Sequence, residues 1–377
     1  MVKLALIRQR YNPFGGAERF LERAMEALRA QGVEITLIAR QWETGMTGIT
    51  PVSCNPFHLG RWWRDAGFAR AVERLLQGHT YHLTQTHERI PGCDIYRAGD
   101  GVHAEWLHQR GMGQTPFARR LALLNPYHRY VLNAERRLFE HPGLRAVICN
   151  SRMVREEILA RFRIDPGKLH VIYNGVDTGR FHPDARAAHR ERVRREWGIS
   201  DGEVCFLFVG SGFARKGVAV LLHAMARLPA GCRLLVAGRD KEQARMTRLA
   251  TQLGLRDRVA FAGGCKEVIP LYAAADAVVL PTLYDPFPNV ALEAMAMGLP
   301  LVTSPKCGAV DLIEPGKNGL LAAALDPEDL ARQLACLLDP VLRDAMGRAA
   351  RETIAPFTLE AMGGQLVALY QELLRKE

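Results

Sequence analysis

The chain has 377 residues, 48% of them hydrophobic and 24% charged, and two domains are the natural division for that length. No apolar run approaches the roughly 20 residues that a membrane-spanning helix needs, which excludes an integral helical membrane protein. The net charge of +10 is uneven: residues 1–180 carry 26 Lys/Arg against 17 Asp/Glu, and the remainder 24 against 23. The first half therefore calls for an anionic partner, whether phosphorylated glycolipid, membrane surface or nucleic acid.

Lys3, Arg8 and Arg10 leave the N-terminal apolar stretch too short for a signal peptide, so Lys3–Arg8 reads as a first strand. Tyr11-Asn12-Pro13-Phe14-Gly15-Gly16 follows, then a helical pattern from Ala17 to Ala30. Two glycines at a strand-to-helix turn let a ligand approach the backbone, although the pair alone is also an ordinary tight turn. Val33–Ala39 completes a βαβ start and hence a parallel sheet. Arg61–Leu76 mixes Trp62, Trp63 and Phe68 with four arginines. It suits either a membrane surface or, more often, a core helix with snorkelling arginines.

Strand-like runs at Tyr81–Thr86 and Asp94–Ala98 end in His87-Glu88-Arg89 and in Gly99-Asp100-Gly101-Val102-His103. Ligands of open α/β sheets gather beyond the carboxyl ends of strands, so Asp100 and His103 are candidate site residues. A turn aspartate and a satisfied surface histidine are the bland alternative. Glu105–Glu140 interleaves aromatic and leucine residues with six arginines at helical spacing, broken by Gly111, Gly113 and Pro116. That composition suits an interfacial segment on a membrane. It comes with tryptophans and leucines rather than a compact basic patch, which argues against nucleic acid.

Ala146–Asn150 reads as a buried strand, and Ser151 caps a helix over Arg152–Phe162. Val171–Tyr173 and Asn174-Gly175-Val176-Asp177 precede a charged run, Pro183–Glu196, read as structure-poor. The domain boundary is placed near residues 178–195. The alternation then restarts with strands at Val204–Val209, Arg233–Ala237, Val259–Ala262, Ala277–Pro281, Leu301–Ser304 and Gly319–Ala322. Helices separate them, and Thr358–Lys376 forms a long terminal helix. The eight cysteines stand singly without a CxxC pair, as small buried hydrophobes in a reducing cytoplasm do.

Gly210-Ser211-Gly212-Phe213-Ala214-Arg215 nearly matches a dinucleotide fingerprint, but Arg215 stands where close helix packing needs a small residue. A dehydrogenase is disfavoured. Arg215 and Lys216 at a helix start instead suit a diphosphate. Pro281–Pro300 reads as a strand end, a loop holding Asp285, and a helix capped by Asn289. Glu293, eight residues after Asp285, sits one turn into that helix, where a carboxylate accepts from two neighbouring hydroxyls of a ribose. A capped surface helix with two solvated acids is the alternative from spacing alone.

These pieces, in order, resemble the retaining glycosyltransferases of family 4: Pro13-Phe14-Gly15-Gly16, Asn174-Gly175-Val176-Asp177, Gly212-Phe213-Ala214-Arg215-Lys216-Gly217, and the acid-x7-acid block Asp285 to Glu293 closing at Pro300. The resemblance implies the GT-B fold, two doubly wound Rossmann-like parallel-sheet domains facing across a cleft. Its expected limits are an acceptor-side domain over 1–180, a nucleotide-sugar domain over 181–357, and a C-terminal helix, 358–377, returning to the first domain. It implies Gly15 and Gly16 under the donor phosphates, Arg215 and Lys216 at the diphosphate leaving group, Glu293 at the ribose and Asp285 at the transferred sugar. Asp100 would lie against the donor sugar, with His103 beside it. Within the family the lipopolysaccharide-core glucosyltransferase branch is the most similar.

Asp285 stands where the family usually has glutamate. Pro286 and Pro288 stand where glycines are common, so backbone contacts fall to Phe287, Asn289 or Val290. The expected activity is retaining transfer of a hexose, glucose, from a UDP-sugar to a lipopolysaccharide core or similar phosphorylated glycolipid, with no cofactor and no metal. The expected location is cytoplasmic, peripheral on the inner face of the membrane through 105–140. Two other classes stay open: a sugar-nucleotide epimerase using His87, Glu88, Asp100 and His103, and a non-catalytic basic binding protein.

Overall fold

The computed structural model describes residues 2–11, 28, 32–42, 48–115, 117, 120 and 124–375. Gly15, Gly16 and most of the helix expected over Ala17–Ala30 lie outside the described residues. The chain divides into two compact units, Met1–Gly175 with Leu359–Glu377, and Val176–Thr358.

In the first unit, β1 (Val2–Tyr11), β2 (Val33–Trp42), β3 (Thr50–Ser53), β4 (Leu83–Thr86), β5 (Ile95–Arg97), β6 (Ala146–Cys149) and β7 (Leu169–Val171) form one sheet in the order β3-β2-β1-β4-β5-β6-β7. Every pairing is parallel. A parallel sheet is covered on both faces, so its strands are continuously apolar, and Leu4, Ala5, Leu6 and Ile7 of β1 are all buried. The described helices of this unit include α1 (Gly60–Gln77), α2 (His103–Gly111), α3 (Pro126–Phe139) and α4 (Arg152–Arg161). Ser151 caps α4 by accepting from the Val154 N–H.

Phe68, Ala69 and Val72 of α1 pack with Ala5, Ile7 and Ile38 in one cluster. A second cluster joins Leu4, Leu6, Ile35 and Leu37 to Leu359, Met362, Leu366 and Tyr370 of the C-terminal helix, Leu359–Arg375. Tyr370 also donates its hydroxyl to Gln85 of β4 at 2.6 Å.

The second unit holds a six-stranded parallel sheet, β8 (Val204–Val209), β9 (Cys232–Ala237), β10 (Val259–Gly263), β11 (Ala277–Leu280), β12 (Leu301–Thr303) and β13 (Gly319–Leu321), in the order β10-β9-β8-β11-β12-β13. Its helices are α5 (Ala185–Glu196), α6 (Val218–Met225), α7 (Gln243–Gln252), α8 (Ile269–Ala274), α9 (Asn289–Ala296), α10 (Pro327–Cys336) and α11 (Pro340–Ile354).

Three local readings need correction. Pro183–Glu196 is not structure-poor, because residues 185–196 form α5. Arg186, Arg190 and Arg194, spaced four apart, form one stripe that converges on buried Asp276 at 3.6, 2.7 and 3.1 Å. A charged stripe anchors this helix where an apolar one is usual. Asn289 is not a cap: α9 starts at Asn289, and Pro288 occupies the capping position without a side-chain hydrogen bond. Cys265 and Cys336 are exposed, although the other six cysteines are buried. The short strand β3 and the 15-residue helix α11 are additions to the sequence reading.

Candidate functional site

In the second sheet the strand order reverses at β8, so the carboxyl ends of β8 and β11 flank the topological switch point, where open α/β sheets bind ligands. The loop after β8 runs Gly210–Gly217. Gly217 has φ +78°, and a Cβ there would sit 2.1 Å from the Pro281 carbonyl oxygen, so the turn into α6 tolerates only glycine. Asp240, beyond β9, ties the front of the loop by accepting from the N–H groups of Gly212 and Phe213 at 2.6 and 3.0 Å. Burial works against the Asp240 carboxylate, but three backbone N–H donors hold it below its ordinary range.

The loop after β11 is stitched to the loop after β8. The Arg215 carbonyl accepts from the Leu283 N–H at 2.8 Å and from the Thr282 hydroxyl at 3.2 Å. The Arg215 guanidinium donates to the Tyr284 carbonyl at 2.8 Å and to Asp285 Oδ2 at 3.2 Å. Lys216 Nζ reaches that same Asp285 oxygen, also at 3.2 Å. Asp285 and Lys216 are buried and Arg215 is about one-third exposed. Asp285 is fixed from behind as well, its N–H on the Lys306 carbonyl and its own carbonyl receiving the Gly308 N–H. The two cations and the first acid of the acid-x7-acid pair thus form a single ion-pair cluster.

The second acid, Glu293, lies one turn into α9. Its Oε2 accepts from the Tyr272 hydroxyl of α8 at 2.7 Å. Burial pushes the Glu293 carboxyl up, and the Tyr272 hydroxyl, Arg180 and Lys216 pull it back in part. Burial and the Glu293 charge push the Tyr272 phenol well above its ordinary value, so it stays a donor. Sequence reasoning missed Tyr272 and Asp240. Neither belongs to a local motif, and each acts through a neighbour brought close only by the fold.

In the first unit, Asp100 lies on the turn after β5, exposed, with Arg89 Nη1 at 3.8 Å. His103 opens α2. Its N–H donates to Glu135 Oε1 at 2.8 Å, and the same oxygen accepts from Arg89 Nε at 2.9 Å. Glu135 on α3 is 1% exposed, so it joins the β4 end to the start of α2 from a dry position. Burial, with Arg89 and His128 adding to it, pushes the His103 imidazole down to about 3. His103 Nε2 and His128 Nδ1 are 3.0 Å apart. Of the sequence candidates, the structure brings together Arg215, Lys216 and Asp285, sets Glu293 nearby through Lys216, and collects Asp100 and His103 around Arg89.

Two parallel sheets of this strand order, the second carrying an Arg-Lys pair and two acids at its switch point, define a glycosyltransferase of the GT-B class. The chain matches the model for glycosyl transferases group 1 over residues 189–353 and that for Glycosyltransferase Family 4 over residues 14–180. It belongs to family 4, whose members are retaining hexosyltransferases. It is 28% identical over 329 residues to the lipopolysaccharide glucosyltransferase WaaG of Escherichia coli, covering 85% of each chain. It is 28% identical over 361 residues to the lipopolysaccharide core biosynthesis glycosyltransferase LpsE of Rhizobium meliloti, covering 92% of this chain and 93% of that one. The crystal structure of WaaG superposes with a TM-score of 0.83 at 26% identity, over 97% of this chain and 99% of that one. A structure of Anabaena HepE in complex with UDP-glucose shares the fold, with a TM-score of 0.74 at 22% identity over 99% of this chain and 100% of that one.

Proposed function

We propose that this enzyme transfers glucose from UDP-glucose to a phosphorylated, lipid-linked acceptor of the lipopolysaccharide-core type, with retention at the anomeric carbon. The observation that carries the reading is the cluster of Arg215, Lys216 and Asp285 at the switch point of the second sheet. Two adjacent cations there suit a diphosphate, on which negative charge grows as the glycosidic bond breaks. Asp285 is their counter-ion in the unliganded protein. As the diphosphate takes over the cations, its carboxylate turns to the hydroxyls of the transferred sugar.

Glu293, held by Tyr272, accepts from the ribose hydroxyls. Phe287, Asn289 and Val290 offer backbone groups beside the sugar and phosphates, since Pro288 has no N–H. Gly15 and Gly16 approach the donor phosphates. Asp100 meets the donor sugar, with His103 next to it, and Arg89 and Glu135 position both. The departing phosphate assists the acceptor hydroxyl on the same face, so no carboxylate nucleophile of the paired-acid glycosidase kind is required. The lipopolysaccharide roles of WaaG and LpsE, the UDP-glucose bound to HepE and the basic charge of residues 1–180 support donor and acceptor. The enzyme works as a peripheral membrane protein on the cytoplasmic face. Segment 105–140 makes the contact: Met112, Phe117 and Leu124 are exposed there.

A donor screen that follows nucleotide release with purified lipopolysaccharide cores of defined truncation tests this. Release from UDP-glucose with one truncation and not with its neighbours is expected. Release only from another nucleotide sugar would overturn the donor. Formation of an epimer from UDP-glucose alone would overturn the transferase reading.

A further inference from the structure

Helix α1 buries Ala66, Phe68, Ala69 and Val72, so it does not lie flat with an apolar face in lipid. Its N-terminal end is different. Phe57, Leu59, Trp62 and Trp63 are 75%, 68%, 55% and 48% exposed, and Phe57 meets Trp63 edge to face at 5.7 Å. Four large, exposed apolar side chains within seven residues, two of them in ring contact, are a concentration of a kind that marks an interaction site.

The patch is rigidly presented. The Cys54 N–H is bonded to the Ala39 carbonyl at 2.9 Å, and Arg40 holds Asn55 and His58 at 3.0 Å. The loop therefore displays Phe57 and Leu59 from a fixed base.

Charge selects the occupant. Arg61 is exposed within the patch, and Arg70 and Arg74 are exposed further along α1. At 3.6 residues per turn, positions 70 and 74 fall within about 20° of Trp63 around the helix axis. The two acids between residues 54 and 77 do not offset this row: Asp65 is held by Arg64 and Gln9, and Glu73 is half-buried. Aromatic side chains at a tip, backed by arginines with long apolar stems, match the headgroup region of an anionic bilayer. The exposed Leu124 also lies near this tip. Tyr127, at the start of α3, is hydrogen-bonded to Asp65 near the start of α1, which brings Leu124 beside the first turns of α1.

We infer that Phe57, Leu59, Trp62 and Trp63 form a second attachment point that inserts into the surface of an anionic bilayer, with Arg61, Arg70 and Arg74 at the phosphates. The inference rests on the membrane-peripheral reading given above and adds to it a surface outside segment 105–140.

The full-length protein is sedimented with vesicles of phosphatidylethanolamine and phosphatidylglycerol, and with vesicles of phosphatidylcholine alone. Binding to the anionic vesicles is expected. In F57S/W62S/W63S it should weaken by about tenfold, with the circular dichroism spectrum unchanged. Brominated lipid should quench the Trp62 and Trp63 emission of the parent protein, measured against W62F/W63F. If the parent protein binds neither vesicle, the membrane-peripheral reading falls and takes this inference with it. If it binds anionic vesicles and the triple variant binds equally, only this inference falls. Equal binding to both vesicle types refutes the anionic occupant. A parent dimer that the triple variant loses in light scattering, with vesicle binding unchanged, assigns the patch to a second copy and also overturns the inference.

Discussion

Asp285→Asn isolates the counter-ion argument, because it keeps the side-chain shape and removes the charge shared by Arg215 and Lys216. Each cation is 3.2 Å from Asp285 Oδ2. At an effective dielectric constant of about 20, such a pair has a gross Coulomb energy of about 5 kcal/mol. Two effects cut this down. The Arg215 side chain is 35% exposed, so solvent screens its share, and desolvation offsets much of the remainder for Lys216. A net gain of about 1–2 kcal/mol in affinity for an incoming diphosphate is expected, or about five- to thirtyfold tighter UDP binding. Turnover should fall about 100-fold, since the same carboxylate serves the transferred sugar. Calorimetric titration with UDP measures the gain, and uridine, which lacks phosphates, is the control. Unchanged or weaker UDP binding, with uridine affinity intact, refutes the reasoning.

Arg215→Ala and Lys216→Ala should each lower kcat/KM about 100-fold or more while the fold persists, checked by initial rates and circular dichroism. Glu293→Ala should weaken UDP binding about tenfold, and Tyr272→Phe by a smaller factor because the carboxylate remains; titration of both variants with UDP compares them. Gly217→Ala forces a Cβ onto the Pro281 carbonyl at a positive φ, and denaturant unfolding should show a loss of about 3 kcal/mol or more. His103 is neutral in the folded protein down to about pH 3 but protonates near 6.5 once unfolded, so its stability contribution is complete above 6.5 and is lost as pH falls toward 3. His103→Gln should therefore show a smaller drop in Tm between pH 7 and 4.5 than the parent protein.

The sheets were legible because parallel strands buried on both faces are short continuous apolar runs, as in Val204–Val209 and Ala277–Leu280. The loops carrying Arg215, Lys216 and Asp285 were legible for a related reason: glycines and prolines mark the ends of those runs. What escaped was structure held by polar groups. α5 has no apolar stripe, and only its arginines at spacing four point toward Asp276, which lies 82 residues beyond Arg194 along the chain. The role of Asn289 as a cap was overridden by Pro288, whose fixed φ starts the helix one residue earlier. Tyr272 and Asp240 were invisible because their partners, Glu293 and the Gly212-Phe213 backbone, meet them only in the folded chain. Composition leaves Arg61–Leu76 open between a membrane-surface helix and a core helix with snorkelling arginines; the structure buries Phe68 and sets Trp62 and Trp63 at the exposed end, which no periodicity reports.

The central claim is retaining transfer of glucose from UDP-glucose, with the leaving diphosphate held by Arg215 and Lys216. Proton NMR of the product formed from UDP-glucose and an accepted lipopolysaccharide core tests it most directly. An α-anomeric signal appearing in step with UDP, and absent with Lys216→Ala, is the result expected. A β-anomeric product, or equal yield from the Lys216 variant, would contradict the account.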